Sequence, residues 1–247
     1  MSKLLKCTSL RILNWDSDFW GFPIATFDGG KLCKNSLKKS LDYCLKENIS
    51  CLYFSANGSD PQTLRIAYES GFKFIDVRIE MELVTSSFSY SNKNTLIRPV
   101  EKKEDLESVK AIARKSHIES RFFKDLNFNR QKCKIFYEKW IERDFDLGTI
   151  LGFYPACDKI AHGYLTLTSE SLSNARIGLL AVEDDYRGKG AAYNLIEEAI
   201  ATSMKKGVKK LLVTTQGTNS HALSLYEKIG FRTSNVTIWF HKWFHHQ

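Results

Sequence analysis

The 247-residue sequence predicts an α/β (α+β) fold on three observations. Short apolar or alternating runs, which form strands, are interleaved with stretches whose apolar residues recur at helical spacing. A polar stretch, TSSFSYSNKN at 85–94, is rich in Ser and Asn and has neither periodicity. It divides the chain into a smaller part, 1–90, and a larger part, 91–247. One order of elements also occurs twice: strand, Asn-containing loop, helix ending in Tyr-Glu and then Gly-Phe, strand. The two copies centre on AYESGF, 67–72, and LYEKIGF, 225–231.

Each element follows from local chemistry. Leu37, Leu41, Cys44 and Leu45 recur at helical spacing, and CLYFS, 51–55, reads as a short buried strand. Asp60-Pro61 supplies an N-cap with proline at the first helical position, and Gly71 closes that helix. Val77, Ile79, Met81 and Leu83 alternate with Asp76, Arg78, Glu80 and Glu82, which predicts a half-buried strand. Beyond the polar stretch, TLIRPV is extended and EKKEDLESVKAIARKS is helical. SRFFKDLNFNRQKCKIFYEKWIERD is mostly helical and aromatic-rich, and AHGYLTLT and ARIGLLAV are strands. From about Gly190, the residues Ala192, Leu195, Ile196, Ala199 and Ile200 share one helix face. Met204-Lys205-Lys206-Gly207 ends that helix with cations and a glycine. KKLLVTTQ is a buried strand, Ala222, Leu225, Tyr226 and Ile229 mark the last helix, Gly230 stops it, and VTIWFHKWF is the final strand.

Apolar content of 43% is enough for a real core. The net charge of +8 suits a polyanionic ligand such as a coenzyme or sugar nucleotide. It equally describes a lysine-coated surface. No block of five like charges occurs, so a nucleic-acid-binding tail is not expected. Cys7, Cys33, Cys44, Cys51, Cys133 and Cys157 are widely spaced, without C-x-x-C, so neither zinc nor a disulfide scaffold is signalled. Reduced thiols fit a cytoplasmic location. MSKLLKCTSLRILNWD lacks a signal-peptide core, and no stretch is long enough to span a bilayer, so no membrane partner is expected.

The strongest chemical signal is ARIGLLAVEDDYRGKGAAYNL. A buried strand runs into Arg187-Gly188-Lys189-Gly190-Ala191-Ala192, and a helix follows at once. Small residues let backbone N–H groups approach a ligand, and the new helix offers unpaired N–H groups and a positive dipole end. Arg187 and Lys189 add charge. Together these features form a pyrophosphate cradle. The spacing is neither a Walker loop nor a dinucleotide fingerprint, and by itself it also describes a tight strand–helix turn.

This segment resembles motif A of the GNAT acyltransferase superfamily, R/Q-x-x-G-x-G/A, with Arg187, Gly190 and Ala192 at the fixed positions. The usual proline of the preceding turn is absent, where the chain has Glu183-Asp184-Asp185. Asn219 to Phe231 resembles N-x-x-A-x-x-L-Y-E-K-x-G-F of the same superfamily. The resemblance implies a central mixed, mostly antiparallel sheet splayed at a strand bulge, with acetyl-CoA or another short acyl-CoA as donor and no metal. It places the pyrophosphate on Arg187, Gly188, Lys189, Gly190, Ala191 and Ala192. It places the pantetheine arm on Leu180, Ala181 and Val182 and on Asn219. The Leu180 N–H becomes the oxyanion donor and Tyr226 the general acid. Physical chemistry accommodates the last role, since a phenol with pKa near 10 stays protonated at neutral pH.

A narrower resemblance concerns the acceptor. NWDSDFWGFPIA, SRFFKDLNF…FYEKWI, ARIGLLA, TTQGTNSHAL and VTIWFHKW look like the bacterial TDP-fucosamine N-acetyltransferase family, whose members acylate the amine of a TDP-linked deoxyamino sugar. That implies a nucleotide-sugar acceptor, with Arg121 as a partner for the diphosphate and with Phe122 and Trp20 near the sugar nucleotide. Tyr137, Trp140, Trp15 and Phe19 either line the cleft or pack. His117, Glu119 and His162 are candidates for weak base help. His241, His245 and His246 lack the spacing of a metal site. A homodimer is one expectation for assembly. Two other classes stay open: a GNAT enzyme for a protein or small-amine acceptor, and a non-catalytic acyl-CoA-binding module. The first copy of the doubled phrase has no cradle, and its Asn57 lies eleven residues before Tyr68 instead of seven. The smaller part is therefore expected to be a partial GNAT-like unit that helps close the acceptor cleft.

Overall fold

A computed structural model of the chain describes residues 9–89, 95–155 and 158–244. The end of the polar stretch, 90–94, lies outside them, as do Cys7, Cys157, His245 and His246. The elements, in order, are β1 (Ser9–Ile12), α1 (Asn14–Trp20), β2 (Ile24–Asp28), α2 (Lys34–Lys46), β3 (Cys51–Asn57), α3 (Pro61–Glu69) and β4 (Lys73–Val84). After them come β5 (Ile97–Pro99), α4 (Lys103–Lys115), α5 (Arg121–Lys124), α6 (Arg130–Asp146), β6 (Ile150–Phe153) and β7 (Gly163–Ser169). The last are β8 (Asn174–Val182), α7 (Ala191–Lys205), β9 (Lys210–Gln216), α8 (Ser220–Ile229) and β10 (Arg232–Trp243). Strands β1, β2 and β6 and helix α1 were not expected from the sequence. They have four to seven residues, too few for periodicity to register.

Helix boundaries follow from capping. The Asp60 carboxylate accepts the Thr63 N–H at 3.1 Å and its hydroxyl at 3.0 Å, with Pro61 in the first turn of α3. Asn129 caps α6 by accepting the N–H groups of Gln131 and Lys132. At the other ends, Gly71, Gly207 and Gly230 adopt φ of 76°, 73° and 111°, a region open to glycine at no steric cost. The start of the polar stretch is held in place. Thr85 is buried, its N–H bonded to the Lys209 carbonyl at 3.0 Å and its hydroxyl to that of Val208 at 2.7 Å.

The chain forms two compact units, Met1–Ile79 with Val236–Gln247, and Glu80–Asn235. The divisions fall inside β4 and inside β10. In the first unit the strand order is β1-β2-β3-β10: β1 is antiparallel to β2, β2 parallel to β3, and β3 antiparallel to β10. Alternation sends Leu52, Phe54 and Ala56 of β3 to one face, where they pack with Phe27, Leu37, Ile66, Phe72 and Phe240. In the second unit the order is β9-β8-β7-β6-β5, with β8 and β9 parallel and the other pairs antiparallel. This is the mixed, mostly antiparallel sheet that the sequence implied. Leu195, Ile196, Ala199 and Ile200 bury the apolar face of α7. Among the described residues no disulfide forms, and no helix is long and apolar enough to cross a membrane.

Gly230 carries a testable consequence. Replacing it with Ala forces a side chain into the left-handed region, with its Cβ 3.4 Å from Leu83 Cδ1. A loss of about 1–2 kcal/mol is expected in urea unfolding.

Candidate active site

Strand β8 runs to Val182, but its parallel pairing with β9 covers only Asn174–Ile177 against Lys210–Val213. Beyond that point the register between the two strands ends while both continue, and a fork opens. On its other side β8 stays paired with β7 throughout, from Ser169↔Ala175 to Gly163↔Val182. The register shifts between Leu165↔Leu180 and Leu167↔Ile177, so three steps of β8 match two of β7. This is a bulge at Gly178–Leu179. Its extra N–H, that of Leu179, donates to the Thr166 hydroxyl at 2.9 Å. A Cβ on Gly178 would lie 2.6 Å from that same oxygen, so glycine is what lets the hydroxyl reach the backbone.

The bulge decides which backbone groups face the fork. Glu183 N–H donates to the His162 carbonyl at 2.9 Å, on the β7 side. Alternation then turns the Ala181 groups toward Tyr164 and the Leu180 and Val182 groups away from β7. Of the three residues expected to meet a pantetheine arm, Leu180 and Val182 therefore present main-chain polar groups to the fork. The Val182 carbonyl already accepts Arg187 Nε at 3.1 Å.

The cradle continues from the tip of β8. Asp184–Tyr186 make one turn of 3-10 helix, Gly188 and Gly190 follow with φ of 72° and 84°, and α7 starts at Ala191. No atom comes within 4 Å of the place a Cβ would take at either glycine. The space is open, and the need for glycine is conformational. Gly190 offers no capping side chain, and the first helical bond runs from Asn194 N–H to the Gly190 carbonyl at 2.9 Å. The N–H groups of Ala191, Ala192 and Tyr193 thus have no helical partner, at the positive end of the dipole. Arg187 pairs with Asp184 at 2.8 Å, and the Lys189 ammonium lies 5.9 Å from the Tyr186 ring centroid. Open space, three unbonded N–H groups and nearby cations fit the pyrophosphate of a coenzyme.

Asn219 caps α8, its Oδ1 accepting the Ala222 N–H at 3.1 Å, which leaves its amide NH₂ available. Two turns on, Tyr226 is buried to 5% exposure against Phe231, ring centroids 5.6 Å apart. Burial pushes its hydroxyl well above the ordinary value of 10. Its counterpart in the doubled phrase behaves differently, because Tyr68 is 81% exposed. The two helix ends explain why. Phe72 N–H bonds to the Ala67 carbonyl, whereas Phe231 N–H bonds to the Tyr226 carbonyl, both at 3.0 Å. Matched by these bonds, the position of Tyr226 falls on buried Ala67, and Tyr68 is rotated out by one residue. The first copy also closes its own gap. Gly30 lies against Ser55–Asn57, its carbonyl accepting the Asn57 N–H at 3.4 Å, and the Leu32 N–H bonds to Thr63 Oγ1 at 3.1 Å.

The remaining candidates are placed as follows. Phe122 is 3% exposed and packs on Phe136 and Phe128, centroids 4.5 and 5.3 Å away, with the Arg121 guanidinium 4.5 Å from its own ring centroid. Tyr137 stacks on Trp140. In the first unit, Trp20 is buried beside Phe19, and half-exposed Trp15 stacks on Phe19. His117 has φ of 60°, lies 2.7 Å from the Tyr164 hydroxyl, and is pushed down to about 4 by burial, so it is neutral. His162 has both ring nitrogens against carboxylates, and Glu119 is exposed. His241 is buried against Tyr53. Among the described residues no group of three His, Cys, Asp or Glu could hold a metal. The sequence reading missed Thr166 and Gly178. A glycine inside the strand RIGLL was the available signal for a bulge.

Residues 107–231, about half of the chain, match the profile of the Acetyltransferase (GNAT) family. The chain is similar to the spore coat polysaccharide biosynthesis protein SpsD of Bacillus subtilis (strain 168), 24% identical over 139 residues, 56% of this chain and 48% of the relative. It thus spans about half the length of that relative. It is 26% identical to the dTDP-fucosamine acetyltransferase of Escherichia coli O6:H1 over 176 residues, 70% of this chain and 72% of that one. In fold it is similar to a GCN5-related N-acetyltransferase of Sphaerobacter thermophilus, with a TM-score of 0.67 at 13% identity, covering 96% of this chain and 76% of the other.

Replacing Thr166 with Val should leave the Leu179 N–H unpaired. A loss of about 1–3 kcal/mol in denaturant unfolding is expected. The Leu180 N–H should turn as well, because the same bond sets its direction.

Proposed function

The chain belongs to the acetyltransferase (GNAT) family of acyl-CoA-dependent N-acetyltransferases, and from that premise we propose that its acceptor is the amine of a nucleotide-linked (TDP) 3- or 4-amino deoxysugar. The transferred group is acetyl or a short hydroxyacyl such as 3-hydroxybutyryl, and the product serves cell-surface polysaccharide biosynthesis. The names of two relatives, a dTDP-fucosamine acetyltransferase and a spore coat polysaccharide biosynthesis protein, support this acceptor class. The observation that carries the chemistry is the fork, with the Leu180 N–H turned into it beside an open cradle.

Each group has one task in this proposal. Arg187 to Ala192 hold the donor's pyrophosphate, with unpaired N–H groups at the start of α7 and the cations Arg187 and Lys189. The Asn219 amide and the Leu180–Val182 edge hold the pantetheine arm as an added strand would be held. The sugar amine attacks the thioester carbonyl, the Leu180 N–H receives the developing oxyanion, and Tyr226 gives its proton to the departing thiolate. The acceptor nitrogen loses a proton to water, and no covalent enzyme intermediate forms. His162 is a poor base with both nitrogens engaged, and His117 is half-buried with its Nε2 on the Tyr164 hydroxyl. Arg121 is assigned to the acceptor's diphosphate as a bidentate partner. The first unit is read as a partial GNAT-like unit that holds no coenzyme. Its equivalent gap is closed by Gly30, and Ala67 stands where the acid would be.

Two experiments test the proposal. Acyl-CoA donors offered with TDP-3-amino and TDP-4-amino sugars should give an N-acylated product by mass spectrometry. Turnover with peptides or simple amines, and none with the sugars, would move the enzyme to another acceptor class. Tyr226→Phe should lower kcat by about 10²-fold or more while the KM for acyl-CoA stays nearly constant. Thermal stability should hold, because among the described residues the hydroxyl makes no hydrogen bond.

A further inference from the structure

His162 lies at the entrance to β7, and its imidazole is held between two carboxylates. Nδ1 is 2.7 Å from a Glu183 oxygen and Nε2 is 2.8 Å from an Asp158 oxygen. The ring packs on Tyr186, centroids 4.7 Å apart, and Tyr186 in turn packs on Phe153 of β6. Backbone bonds run beside it, from His162 N–H to the Phe153 carbonyl and from Glu183 N–H to the His162 carbonyl. A neutral imidazole has one N–H and cannot donate to both carboxylates; the imidazolium can. Burial opposes the charge, but the bonds to Glu183 and Asp158 outweigh it and raise the imidazole above its ordinary 6.5.

Glu183 is the residue on which the cradle turn is built. Its carbonyl accepts the Tyr186 N–H at 3.0 Å, and the Asp184 carbonyl accepts the Arg187 N–H at 3.2 Å. Glu183-Asp184-Asp185 also sets three carboxylates at the entrance of an anion site. That arrangement repels phosphate unless the charges are cancelled. Asp184 is paired with Arg187, and Glu183 with His162. The charged groups around the imidazole are Asp158 before β7 and Glu183 after β8. The Asp184–Arg187 pair and Lys189, over the Tyr186 ring, lie on the same turn.

We propose that His162, as an imidazolium bridging Asp158 and Glu183, is a positioning residue for the acyl-CoA donor: it fixes the turn that enters the cradle and cancels the Glu183 charge beside the pyrophosphate. The inference rests on the assignment of Arg187–Ala192 as the pyrophosphate site. The sign follows from the linkage. The bridge is complete below the imidazole's raised pKa and is lost as pH rises through it, which leaves Asp158 and Glu183 as bare anions.

The test uses the full chain. Acetyl-CoA binding is measured by calorimetry from pH 5.5 to 9, with kcat and KM beside it, for wild type, His162→Gln, His162→Gln/Glu183→Gln and Lys189→Glu. Wild-type affinity should fall about five- to tenfold as pH rises through the imidazole titration. His162→Gln should be weak by a similar factor at low pH and flat across the range, with kcat at saturating donor within about twofold of wild type. Adding Glu183→Gln should recover part of the affinity, since it removes the uncancelled charge. If Lys189→Glu weakens binding but His162→Gln keeps the wild-type affinity and pH profile, the bridge has no role and the proposal falls. If both bind acetyl-CoA like wild type, the cradle assignment itself is wrong and the proposal falls with it.

Discussion

The hydrogen bond from Leu179 N–H to the Thr166 hydroxyl is the contact on which the site depends. A strand with an extra residue must place one surplus N–H somewhere, and a buried N–H without a partner costs about 1–3 kcal/mol. Thr166 supplies the acceptor from the neighbouring strand, and Gly178 supplies the room. With that N–H satisfied, β8 can shift its register by one, bend, and leave β9 after Ile177. The backbone groups of Leu180 and Val182 then face a gap instead of a strand. The glycine turn at Gly188–Gly190 follows within ten residues, so one departure from regular pairing sets both the strand-like edge and the proposed pyrophosphate site.

The two copies of the strand–helix–strand phrase show how little separates a site from a scaffold. Both have a parallel strand pair, β2 with β3 and β8 with β9, joined only at their first residues. Both helices end at a glycine in the left-handed region followed by a buried phenylalanine. The difference is one residue in the last helical turn. It places Ala67 where the second copy has Tyr226 and turns Tyr68 to solvent. The loop after β2 completes the change, because Gly30 lies on the backbone that an arm inserted between the strands would need.

Charge at the site is arranged in pairs. The proposed pyrophosphate site has Glu183-Asp184-Asp185 at its entrance, three like charges that by themselves oppose an anion. In the fold, Arg187 and His162 each take one of those carboxylates. The two histidines in the second unit illustrate opposite outcomes of burial. His117 faces a tyrosine hydroxyl and burial pushes its pKa down, while His162 faces two carboxylates whose bonds push its pKa up. Neither is placed to act as a strong base, which suits an amine nucleophile that needs little help.

Local signals in the sequence determined the helix cap at Asp60, the stops at Gly71, Gly207 and Gly230, the alternation of β4, and the glycine-rich turn into α7. Each depends on neighbours within a few residues, where chemistry and spacing suffice. The family was legible for the same reason, since its motifs are contiguous. Tertiary structure alone decided four things. One was the parting of β8 from β9, set by a hydroxyl on a third strand. Another was the exposure of Tyr68 against the burial of Tyr226, set by a one-residue offset that the shared letters conceal. The third was the use of His162 against Asp158 and Glu183, since a carboxylate 21 residues away leaves no local pattern. The last was the split of β4 and β10 between two units. Strand neighbours and ion pairs are long-range contacts, and a single sequence fixes which segments form without fixing which of them meet.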